Sequence, residues 1–132
     1  MEETKFKLWY DEKEGVLRSE IYKKFDIETL EEYFAEISKF TPEQQHYIIG
    51  WVFCDAQQMP DKDARMLAKE KFKTAHFKKI ANLGAKPIVR MVSNIIMIAV
   101  GKGKDNKYFE SEEDALAWIR AEKEKDKKAQ AS

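Results

Sequence analysis

Few residues in this sequence have the type and spacing to do chemistry. Cys54-Asp55 stands at the carboxyl end of a strongly apolar segment, Tyr47 to Cys54, where open α/β sheets place their ligands. A nucleophilic thiol needs a base within reach and a lowered pKa. His46 precedes that same segment and belongs at its opposite end, and His76 lies in the approach to the next strand. A buried structural thiol is therefore the simpler reading of Cys54. One cysteine and two histidines without a short spacing make a poor metal-ligand set. No catalytic residue, metal or cofactor is expected.

A second constellation is Gly84-Ala85-Lys86-Pro87, between a short apolar strand and a helix. Backbone N–H groups there, with Lys86 and Arg90, could hold an anion at the helix N-terminus. The glycine spacing of a P-loop or a dinucleotide fingerprint is missing, and a tight turn with Pro at the first helical position explains the same residues. Trp9, Trp51 and Trp118 read as core or edge packing. Nucleic-acid readers interleave aromatic and basic residues on one surface, and only Lys5 to Tyr10 approaches that pattern, so nucleic acid ranks last among partners.

The elements that must position these residues follow from periodicity. Phe6, Leu8 and Tyr10 alternate with Lys5, Lys7 and Trp9, as in a strand with one buried face. A polar turn ending at Gly15 and a second alternation from Val16 to Tyr22 complete a hairpin. Asp26 is placed to cap a helix whose stripe is Ile27, Leu30, Tyr33, Phe34, Ile37 and Phe40. Tyr47 to Cys54 is apolar on both faces, the signature of a central strand. A helix is expected from Asp61 to Lys73, a strand from Ile80 to Leu83, and a helix opened by Pro87. A last strand spans Asn106 to Glu110, followed by a capped helix from Ser111. The order β-β-α-β-α-β-α-β-α implies an α/β fold: a mixed, mostly parallel sheet of about five strands with about four helices.

The helix after Pro87 sets the functional question. Ile88, Val89, Met91, Val92, Ile95, Ile96, Met97, Ile98 and Val100 leave it almost no polar face. Such a helix must be covered on most sides, by the sheet on one and by other helices, a second copy, a lipid surface or an apolar ligand on another. Its longest unbroken apolar run, Ile95 to Val100, falls far short of the ~20 residues that span a bilayer. A transmembrane role is excluded on that ground, while peripheral membrane contact stays open.

In its 132 residues the chain carries 24 basic and 24 acidic side chains, with 43% hydrophobic and 36% charged residues, the balance of a globular domain. The charge is uneven. Met1 to Asp63 holds 8 basic and 15 acidic residues, Ala64 to Lys107 holds 11 and 2, and Tyr108 to Ser132 holds 5 and 7. A basic middle third suits an anionic surface, although Lys69, Lys71, Lys73, Lys78 and Lys79 also fit the solvated side of a helix and loop. With no signal peptide visible and a lone Cys54, a cytoplasmic protein is expected.

Ile80-Ala81-Asn82-Leu83-Gly84-Ala85-Lys86-Pro87-Ile88-Val89-Arg90-Met91, the apolar helix, and then Lys107-Tyr108-Phe109-Glu110-Ser111-Glu112-Glu113-Asp114-Ala115-Leu116-Ala117-Trp118-Ile119 carry a family likeness. In these residues the chain resembles the SpoIIAA-like family of STAS/SEC14-type small proteins, over nearly all of Lys5 to Ile119. The ending of the form F-x-(S/T)-x-E-(D/E)-A-L-x-W-(L/I) is its most distinctive part. The resemblance implies one STAS-like domain over residues 1–119, with 120–132 a charged helix end or a disordered tail. STAS domains serve as protein-interaction modules. In the anti-sigma-factor antagonists a serine at the start of the helix after the central strand is phosphorylated, but here Asp55 to Ala68 contains no Ser or Thr. The SEC14 side of the family implies an apolar or lipid-like ligand in a pocket. The expectation is thus a non-catalytic interaction or regulatory module, self-associating as a homodimer or binding a protein partner, with a carrier of a small apolar or lipid-like ligand as the alternative. Candidate ligand or interface residues are Asp55, Lys86, Arg90, Met91, Ile95, Met97 and Ile98.

Overall fold

A computed structural model describes residues 4–53 and 60–131. Cys54 and Asp55 lie outside the described residues. Phe6–Asp11 (β1) and Val16–Ile21 (β2) pair antiparallel, with Leu8 opposite Ser19 and Tyr10 opposite Leu17. Asp11 closes their turn: its carbonyl accepts the Gly15 N–H at 2.8 Å and its carboxylate the Glu14 N–H at 3.1 Å.

Helix α1 (Ile27–Ile37) starts where Asp26 Oδ1 accepts the Thr29 N–H at 2.8 Å. Beyond it, Thr41 and Gln44 cap one another, each side-chain oxygen accepting the other's backbone N–H at 3.1 and 3.0 Å. Strand β3 (Tyr47–Val52) follows, then α2 (Lys62–Lys73), capped by Asp61 on the Ala64 N–H at 2.9 Å. Strand β4 (Lys79–Leu83), α3 (Pro87–Ala99), a 3-10 turn at Gly103–Asp105 and β5 (Asn106–Phe109) lead to α4 (Glu112–Ala131). Ser111 Oγ accepts the Asp114 N–H at 3.2 Å at the start of α4, which continues through the Lys- and Glu-rich residues after Arg120.

Among the described residues these elements make an α/β fold with one five-stranded mixed sheet and four α-helices, in agreement with the expected class. The strands lie in the order β1-β2-β3-β4-β5, and β2 through β5 are parallel. Each parallel connection steps one strand in the same direction. Because such crossovers are right-handed, α1, α2 and α3 all fall on one face of the sheet. Helix α4 has no further strand to reach and covers the other face.

The two faces sort by alternation. Leu17, Ile48 and Ile80 join Tyr33, Ile37, Phe77 and Met97 in the core beneath α1 to α3. Val16, Ile49, Ala81 and Leu83 join Ala115 and Ile119 of α4 in the opposite core. The apolar residues of β3 thus divide between two layers, which is why that strand is greasy on both sides.

Candidate functional site

The helices α1 to α3 do not lie flat on the sheet. Aromatic side chains fill the interval in a chain of edge contacts, with Tyr33 against Phe34 at 5.7 Å, Phe34 against Phe72 at 5.1 Å and Phe72 against Phe77 at 5.6 Å between ring centroids. They leave a cavity of about 150 Å³ between the sheet and the three helices. Its walls include Leu30, Phe34, Ala68, Phe72, Val92 and Ile96. An apolar cavity of about that size admits a benzene-sized molecule.

The floor is less uniform. Strand register aligns Ser19 with Gly50, Gly50 with Asn82, and Asn82 with Tyr108, so one row crosses four strands on the cavity side. The buried Tyr33 hydroxyl donates to Ser19 Oγ at 3.1 Å. Burial pushes the Tyr33 hydroxyl pKa up, against the opposing pull of Ser19, so it stays a protonated donor. Asn82 Nδ2 donates to Asn106 Oδ1 at 2.7 Å and to the Lys107 carbonyl at 3.1 Å. Asn106 Nδ2 donates to the Tyr108 hydroxyl at 3.2 Å, which donates onward to the Arg90 carbonyl at 3.4 Å. Both amides are oriented by this chain of partners.

The expected site residues are divided by this geometry. Met97 is 3% exposed and belongs to the inner core, whereas Met91, Ile95 and Ile98 point away from it and are 52, 62 and 69% exposed. Ile88 joins them at 42%. Among the described residues, then, α3 is covered on its inner side only, because the sheet and its companion helices all lie there. Lys86 and Arg90, the expected anion contacts, stand at the start of α3. Arg90 Nε donates to the Ala85 carbonyl at 2.8 Å, and its guanidinium lies 5.6 Å from the centre of the Tyr108 ring. Lys86 is exposed at the N-cap of α3, making no side-chain cap bond. The turn itself is dictated by Gly84, at φ 79°, where a Cβ would stand 2.6 Å from the Val52 carbonyl oxygen.

His46 lies at the start of β3, where burial and the neighbouring Lys78 charge lower its pKa. The basic middle third is partly absorbed. Lys79 pairs with Asp105 and, at 3.9 Å, with Glu122, and Lys102 Nζ donates to the Phe72 carbonyl at 2.8 Å in the last turn of α2. Among the described residues no group of three or more His, Cys, Asp or Glu side chains could hold a metal ion. No described helix is long and apolar enough to cross a membrane.

Sequence reasoning missed Ser19, Gly50, Asn82 and Asn106. A signal was present: Ser19 sits between Leu17 and Ile21 on an otherwise apolar strand face, and Asn82 shares a face with Ile80. Compared with known proteins, the chain matches no family model and no curated protein sequence.

Proposed function

We propose that this chain is a non-catalytic binding module that holds a small apolar molecule between its sheet and helices α1 to α3. The cavity of about 150 Å³, lined mostly by aromatic and aliphatic side chains, carries this reading. Close packing is the rule for protein interiors, and voids larger than a water molecule are few. The likeness to SpoIIAA-like, STAS/SEC14-type proteins in the strand-turn-helix from Ile80 and in the ending Phe109 to Ile119 favours the same class. Native mass spectrometry of freshly purified protein tests the proposal. A stoichiometric apolar adduct, released on denaturation, supports it. A bare chain that also takes up no small hydrophobic compound on addition contradicts it.

A second reading rests on the outer side of α3. Ile88, Met91, Ile95 and Ile98 follow one another at intervals of three, four and three residues, the spacing of a seam between two helices. Arg90 is the only charged residue in the α3 sequence and turns back to the Ala85 carbonyl, so no like charges oppose a second copy on this stripe. We propose that two chains pair through it, with the two α3 helices related by a twofold axis. In that assembly one helix carries a ligand wall on its inner side and a dimer seam on its outer side.

A further inference from the structure

The floor of the cavity suggests what kind of molecule it takes, an inference that rests on the carrier reading above. Above Gly50 there is no side chain. A Cβ built there would stand 3.3 Å from Ser19 Oγ and 3.9 Å from Asn82 Oδ1, so the serine hydroxyl and the amide carbonyl flank one open point on the sheet. Tyr33 donates to Ser19, which leaves the serine its own hydrogen to give. Both N–H groups of Asn82 are spent on Asn106 and Lys107, and among the described residues no donor meets Asn82 Oδ1. One donor and one acceptor thus face the same gap, at the bottom of a mostly apolar chamber.

We infer that the cavity binds a small neutral ring or short branched chain bearing a hydroxyl group, seated with that hydroxyl over Gly50. A hydroxyl is the group that both accepts from Ser19 and donates to Asn82 Oδ1. A wholly apolar ligand would strand these two polar atoms away from water, which is costly. A carboxylate would place its charge against Asn82 Oδ1, an acceptor. Of the cationic side chains that line the cavity, Arg65 is engaged by the Pro60 carbonyl, to which it donates at 2.6 Å.

Phenol, toluene and benzoate separate these cases, because phenol and toluene have nearly the same shape and toluene is the more apolar. Calorimetric titration of the full chain is expected to show phenol binding about tenfold more tightly than toluene, the effect of two modest hydrogen bonds, with benzoate weaker than phenol. Ser19→Ala removes the donor and is expected to erase the preference for phenol while toluene still binds. Gly50→Ala puts a methyl group into the gap and is expected to weaken phenol more than toluene, with circular dichroism verifying the fold of each variant. Toluene binding as tightly as phenol, benzoate binding more tightly than phenol, or an undiminished phenol preference in folded Ser19→Ala would overturn the inference and leave the carrier reading standing. If none of the three compounds binds, both are overturned.

Discussion

On one face of the sheet α4 packs closely against β4 and β5, with Ala81 and Ala115 fully buried at the contact. On the other, α1, α2 and α3 stand on aromatic side chains and enclose a cavity. Small residues let backbones approach, and large ones hold them apart. Polar contacts deepen the contrast. Glu112 pairs with Arg18, Arg120 with Glu14 at 2.5 Å, and Asp126 accepts from the Tyr47 hydroxyl and lies 4.0 Å from Lys78. Pairs at or near the surface add little energy individually, but together these fix α4 in register on the sheet. The same chain therefore builds one face as a tight base and the other as a chamber.

The largest effect expected from this contrast is on stability. Ile119, 1% exposed under α4, should cost about 3 kcal/mol when replaced by alanine, because its surroundings are already close-packed. Ile96→Ala, at the cavity wall, should cost about 1 kcal/mol, since the deleted atoms border empty space. Urea denaturation of the two variants gives the comparison. Equal losses would mean that the two faces are packed alike.

How much of this was legible in the sequence depends on distance along the chain. The hairpin, the Asp26 cap and the stripe of α1 are local, and period and spacing revealed them. The polar row was not legible, because Ser19, Gly50, Asn82 and Tyr108 meet only through the register of four strands. Gly50 in particular reads as an ordinary interruption of β3 until its neighbours are known. The cavity is a volume left unfilled, and no residue encodes it alone. Helix α3 was legible as apolar, yet the inner Met97 and the outer Met91 look alike when hydrophobicity runs all round the helix.

The start of β3 should also govern the response to acid. The folded chain holds the His46 pKa below its ordinary value, through burial first and the Lys78 charge second. The unfolded chain therefore takes up the proton first, and stability falls as the pH drops below about 6.5. Thermal melts from pH 7.5 to 5 should show this decline, and His46→Gln should flatten it. An unchanged slope in the variant would assign the acid response to other groups.

The smallest effect on the fold is expected on the outer side of α3. Ile95→Lys should change unfolding stability of the monomer by less than about 0.5 kcal/mol, because Ile95 is 62% exposed. In sedimentation it should turn a dimer into a monomer. A wild-type chain that sediments as a monomer at high concentration would remove the second reading and leave the cavity untouched.

The most direct test of the chamber is a crystal of the purified protein pressurised with xenon, which enters dry apolar cavities. Xenon density between the sheet and α1 to α3, beside Ile80, Val92 and Ile96, is the expected result. Helices collapsed onto the sheet, with no room for xenon or any bound molecule there, would contradict it.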